Sequence, residues 1–165
     1  MRISEEKGFS LTEVIITAFI LTMAIGGMMA FYTMGQKTWK DGNTRADVQR
    51  QARIALDVMV RGAGGTDGIR EASSVSLPNT STIRYISGID AVERSFYLSG
   101  TDVFYDPDTG SGGDEYKIAD DVRASPPGLV FALNGSVVTI EIYTEDQVAG
   151  RTLGAALSTK VNLRN

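Results

Sequence analysis

The side chains able to do chemistry in this sequence are mostly carboxylates. The 165-residue chain holds 20 Asp and Glu against 16 Lys and Arg, with no His and no Cys. Without Cys there is no disulfide, no zinc–thiolate site and no cysteine nucleophile. Without His, the commonest general base and metal ligand is missing. The densest acidic group is Asp106-Pro107-Asp108-Thr109-Gly110-Ser111-Gly112-Gly113-Asp114-Glu115. Carboxylates interleaved with glycines can wrap a hard cation such as Ca²⁺, which takes about 6 to 8 oxygens at roughly 2.3–2.6 Å. Asp106, Asp108, Asp114 and Glu115 are therefore calcium candidates. Their spacing is not that of an EF-hand, and a solvated acidic loop is the competing reading. Asp120 and Asp121 form an acid pair, but no base or nucleophile accompanies them, so they read as a surface turn. Gly62-Ala63-Gly64-Gly65 with Gly68 lacks the Lys and Ser/Thr of a phosphate loop and reads as a linker. Apart from calcium at the acidic loop no cofactor is expected, and the chain is not expected to be an enzyme.

The most anomalous carboxylate is Glu13. From Phe9 to Met34 the chain is almost wholly apolar for 26 residues, and Glu13 is the only charge among them. As a helix this run reaches about 39 Å, enough to cross a hydrocarbon core of roughly 30 Å with some tilt. Met28, Met29, Phe31, Tyr32 and Met34 keep it apolar beyond its small residues, which a cleavable secretory signal would not do. A retained membrane anchor fits, with a buried core helix as the soluble alternative. An acid inside such a span costs on the order of 2.5–3.5 kcal/mol, so it requires a partner. The span contains no base. A cut between Gly8 and Phe9 would create an α-amino group four residues from Glu13, reachable within the helix or from a neighbouring subunit. A negative charge in the first turns also suits the helix dipole. The alternative is a span that starts at Val14, with Glu13 snorkelling at the interface.

Lys7-Gly8-Phe9-Ser10-Leu11-Thr12-Glu13-Val14 resembles the motif that prepilin peptidase recognises in type IV pilins and type II secretion pseudopilins. The resemblance implies a leader ending at Gly8, cleavage before Phe9 and N-methylation of Phe9. It implies that Glu13 pairs with the terminal amine of a neighbour during assembly. Its implied partners are other pilin or pseudopilin subunits, prepilin peptidase, an inner-membrane assembly platform and membrane lipid. Glu5 and Glu6 make the leader less basic than is usual in that family. Lys37 and Lys40, just beyond the span, orient the helix only weakly, so orientation follows the motif, with the leader cytoplasmic and the rest outside. The expected location is the inner membrane as a single-pass protein, then the base or tip of a filament at the cell surface.

These residues need a rod to carry them. Four segments are expected: a leader over 1–8, an apolar half-helix over 9–34, an amphipathic half-helix over 35–63, and a β-rich head over 64–165. Val48, Ala52, Ala55 and Met59 recur at helical spacing, as do Ala52, Leu56, Met59 and Ala63, which marks one apolar stripe. No Pro interrupts 9–61; Gly26-Gly27, Gly35 and Gly42 are places where the helix could bend, and Gly62 begins its stop. Tyr32 and Trp39 fit an interfacial aromatic belt. In the head, Thr82–Ile86 reads as a strand. Ser95–Leu98 and Val103–Tyr105 flank a turn, and Asn134-Gly135 joins Leu129–Leu133 to Val137–Tyr143 as a type I′ hairpin. Thr159, Val161 and Leu163 alternate with polar residues as a last strand. The fold class is therefore α+β, a long N-terminal helix whose second half packs on an antiparallel sheet of four to six strands. The resemblance implies the same lollipop-like architecture.

The order of head elements is similar to PilW-class minor pilins and J-type minor pseudopilins, through Gln49–Arg61, Ile118–Val122 and Leu157–Asn165. The function implied is a minor subunit that starts or caps a type IV pilus-like filament. A net charge of −4 argues against nucleic-acid binding, which favours a basic surplus. Two alternatives come from other classes: a bitopic membrane protein whose external head binds a ligand or surface, and an exported enzyme.

Overall fold

Helix α1 runs from Leu11 to Arg61, 51 residues without a break, in the computed structural model, which describes residues 9–63, 67–148 and 150–164. It stays helical through Gly26, Gly27, Gly35 and Gly42, because no proline removes a donor along its length. Its end has a local chemical cause. Gly62 adopts φ +86° and its N–H donates to the Val58 carbonyl at 2.8 Å. This is the αL cap, in which glycine takes a left-handed backbone that a side chain would oppose. The chain then returns onto the cap. Gly68 lies so close to the Val60 carbonyl and the Gly62 nitrogen that a Cβ there would overlap both.

The chain divides after Lys40 into two compact units. The first holds the apolar part of α1. In the second, the turns of α1 from Asp41 onward pack with two antiparallel sheets, the expected α+β arrangement. After a 3₁₀ turn at Ile69–Glu71 come β1 (Ala72–Asn79), β2 (Thr82–Ser87), β3 (Glu93–Ser99), β4 (Asp102–Asp106) and β5 (Tyr116–Ala119). Then follow β6 (Leu129–Asn134), β7 (Val137–Val148) and β8 (Arg151–Asn162). Each sheet is a meander, β1-β2-β3-β4-β5 and β6-β7-β8. The expectation of one sheet of four to six strands is thus corrected to two sheets, because β5 and β6 lie in different sheets and the connection between them switches layers.

The hairpin turns follow from glycine placement. Asn134 pairs with Val137, so the turn residues are Gly135 and Ser136, with φ +61° at Gly135. A positive φ at the first central residue alone makes this a II′ arrangement, correcting the expected type I′ Asn134-Gly135 turn. Ser99 pairs with Asp102 around Gly100 at φ +64°, the same solution.

Val48, Ala52, Ala55 and Met59 are the buried residues of α1, at the expected spacing. Of the companion stripe, Leu56 is half-buried and Ala63 exposed. The two alanines let the helix backbone approach the sheets closely. Val138, Ile140, Ile142 and Thr144 alternate inward from β7, while Ile83, Phe96, Val103 and Tyr105 fill the first sheet's inner face. Phe96 stacks between Tyr85 and Tyr105, with ring centroids at 5.8 and 4.7 Å, and Tyr116 meets Tyr105 edge-on at 5.3 Å. This row crosses four strands, and each such pair contributes about 0.5–1.5 kcal/mol beyond burial.

Candidate functional site

Glu13 lies in the first turn of α1. Ser10 begins the helix, accepting at its carbonyl from the N–H of Glu13 at 3.0 Å and of Val14 at 3.2 Å. The Ser10 hydroxyl is 2.6 Å from that of Thr12, and Thr17 donates its hydroxyl to the Glu13 carbonyl at 2.7 Å. Where these bonds reach Glu13, they use its backbone. Among the described residues its carboxylate has neither a hydrogen bond nor an ion pair. Ser10 and Glu13 stand at the spacing of a capping box, which the sequence reading did not consider, yet the reciprocal side-chain bonds of that motif are not formed. Phe9 is 80% exposed, and Gly8, the other side of the expected cut, lies outside the described residues.

Around Glu13 the apolar surface is bare. Val14, Ile15, Ile16, Phe19, Ile20 and Leu21 are all more than half exposed. Helix α1 is long and apolar enough to cross a membrane, and none of its most apolar window is buried within the protein. Water would oppose exposure of such a surface at about 25 cal/mol per Å². A buried core helix, the soluble alternative, does not describe this segment. It fits a membrane anchor.

The calcium candidates do not converge. Among the described residues no group of three or more His, Cys, Asp or Glu side chains is arranged to hold a metal ion. The loop carboxylates are instead turned to the protein's own donors. Asp106, buried at the end of β4, accepts the Asp108 N–H at 3.1 Å, and Asp108 accepts the Gly110 N–H at 2.9 Å. Asp114 bonds the Ser111 hydroxyl at 3.2 Å, and Glu115 accepts from the Tyr97 hydroxyl at 2.8 Å. Asp106, Asp108, Asp114 and Glu115 form no such metal-holding group among the described residues. Burial raises the Asp106 carboxyl above the ordinary carboxylate range, helped by the nearby charges of Asp114 and Glu115. Burial and the Glu115 contact push the Tyr97 phenol up to about 12.

Asp120 and Asp121 lie between β5 and the bridge residue Val122, outside any strand. Lys117 Nζ lies 3.3 Å from Asp120 and 3.7 Å from Asp102. Asp121 takes φ +56° and its carbonyl accepts the Glu145 N–H at 2.7 Å, tying this link to β7.

One charged centre escaped the sequence reading. The Arg94 guanidinium grips Asp90 with two bonds of 2.9 and 2.7 Å and meets Asp67 at 2.6 Å. Asp67 has φ +73°, and its backbone carbonyl accepts from the Tyr85 hydroxyl at 3.1 Å. The Arg94 fork holds the Asp90 carboxyl well below the usual range, helped by the Val92 N–H. Burial drives the Tyr85 phenol far above its ordinary value. The cluster pins the loop after α1 onto the first sheet, a structural task. Only the Asp90–Arg94 spacing hinted at it; Asp67 is brought in by the fold.

No family model, no curated protein and no solved structure matches this chain.

Proposed function

We propose that this protein is a minor pilin or pseudopilin subunit that starts or caps a type IV pilus-like filament after prepilin peptidase removes residues 1–8. One observation carries the reading: the run from Lys7 to Val14 leads straight into an apolar stretch, Phe9 to Met34, whose only charge is Glu13, without a side-chain partner among the described residues. Cleavage before Phe9 supplies the missing partner, since a neighbour's α-amino group is a cation small enough to enter an apolar bundle. Pairing then offsets the desolvation of both ions and sets the axial register of adjacent helices. The later turns of the same helix belong to the head's core through Ala52, Ala55 and Met59. In this reading the chain rests in the inner membrane with its head outside before it enters the filament base or tip.

Mass spectrometry of the protein recovered from its native host tests the processing step. The expected mature chain begins at methylated Phe9. Replacing Gly8 by a bulky Leu should leave the whole leader attached. An intact leader on the native protein would remove the reading and favour a bitopic protein with a ligand-binding or adhesive head.

A further inference from the structure

We propose that a shallow groove over Gly35 seats an anionic phospholipid, with its phosphate at Lys40 and its upper acyl chain against Phe31 and Trp39. This inference rests on the reading of α1 as a membrane anchor and goes beyond it by assigning a headgroup. The groove, about 490 Å³, is lined by Phe31, Tyr32, Gly35, Gln36, Trp39 and Lys40. Phe31, Gly35 and Trp39 follow one another at intervals of four along a helix and so share one face. Gly35, with no side chain, leaves the helix surface low between Phe31 and Trp39, and a Cβ there would enter open space. Phe31 is 80% exposed and Trp39 is 69% exposed, so the walls of the groove have no partner within the described residues.

The chemistry changes along the groove. Its Phe31 end lies inside the apolar run, which stops at Met34. Its far end is polar: the Gln36 amide donates to the Tyr32 hydroxyl, and Lys40 follows one turn later without an ion pair among the described residues. Lys37 adds a second cation at the same level. Apolar walls that end in a cation match a lipid, whose chain and phosphate lie in that order along the membrane normal. A lysine at the headgroup level favours an anionic lipid by about fivefold over a zwitterionic one.

Trp39 is the chain's single tryptophan, so it reports on this groove alone. The full chain is reconstituted in phosphatidylcholine vesicles containing lipids brominated on the upper acyl chain. Quenching of Trp39 is then compared for brominated phosphatidylglycerol and brominated phosphatidylcholine. About fivefold stronger association with the phosphatidylglycerol is expected. Lys40→Gln should reduce the preference and Lys37→Gln with Lys40→Gln abolish it, both leaving quenching itself, and Gly35→Leu should weaken quenching by both lipids. Equal quenching by the two headgroups in the parent chain would overturn the proposal. So would loss of the preference when soluble glycerol phosphate is added, because a free phosphate would then be the ligand. Absence of quenching by either lipid would overturn the membrane reading itself, a separate failure.

Discussion

The Thr144 hydroxyl donates a hydrogen bond to the Val48 carbonyl at 3.0 Å, joining β7 to α1 across 96 residues of chain. Both residues are buried in the head, where an unpaired hydroxyl would be costly. The bond is the polar counterpart of the apolar contact made by Ala52 and Ala55. Thr144→Val keeps the shape and removes the donor, while the Val48 carbonyl retains its place in the helix. The expected loss is about 1 kcal/mol, read as a lower urea midpoint for the full chain in detergent micelles. A variant as stable as its parent would show that the bond contributes no net free energy.

Gly68 supplies a sharper contrast. A methyl group there would overlap the Val60 carbonyl and the Gly62 nitrogen, which are backbone atoms at the cap of α1 and cannot swing aside. Gly68→Ala should cost about 2–3 kcal/mol by displacing the loop that carries Asp67 to Arg94. Gly112→Ala is the control, since a Cβ there meets nothing within 4 Å, and it should change stability by less than about 0.5 kcal/mol. Equal midpoints for the two variants would mean that the cap and loop are not packed as described.

What could be read in advance divides along physical lines. The buried stripe of α1 was legible because its period and the lack of proline are properties of the local sequence. The strands β2, β3, β4, β6 and β7 announced themselves through β-branched and aromatic residues. By contrast, β1 holds Ser73, Ser74, Ser76 and Pro78, and the first half of β8 holds Gly154, Ala155 and Ala156. Such residues have little intrinsic strand preference and are extended because β2 and β7 pair with them. The division into two sheets and the meeting of Asp67 with Arg94 depend on long-range pairing, which no local pattern encodes. Glu13 was legible as an anomaly because the cost of an acid in an apolar span is itself local. Among the described residues its carboxylate has no hydrogen bond or ion pair.

Two acids in the head should respond to pH with opposite signs. Burial raises the Asp106 pKa above its unfolded value, so between the two values the native state binds more protons and stability falls as pH rises. Asp106→Asn should therefore raise the urea midpoint at neutral pH, because an amide oxygen still accepts the Asp108 N–H without the cost of a buried charge. Asp90 is the reverse case. Its pKa is depressed, first by the Arg94 hydrogen bonds and then by the Val92 N–H. Its contribution is present above the ordinary carboxylate pKa and is lost as pH falls through the depressed value. Asp90→Asn should lower the midpoint at neutral pH, and by less at about pH 3, below the ordinary carboxylate pKa but still above the depressed one. Midpoints measured at about pH 3 and about pH 7 check both signs, and a shift of the two variants in the same direction would refute the assigned causes.

Glu13 carries the assembly argument and admits the most discriminating test. If its role is to meet a neighbour's new amine, the charge is needed only once subunits come together. Glu13→Ala should then reach the membrane and lose its leader at close to the parental rate, yet be absent from sheared filaments or tip complexes. Removing the acid relieves an insertion cost of about 2.5–3.5 kcal/mol, so reduced membrane integration is not the expected defect. Glu13→Gln keeps the shape and a hydrogen-bonding end group while removing the charge, and it should fail at the same step. Incorporation of Glu13→Gln at parental levels would show that charge pairing is unnecessary, leaving the acid as a helix-start residue beside Ser10. Failure of both variants at cleavage instead would place Glu13 in peptidase recognition rather than in subunit register.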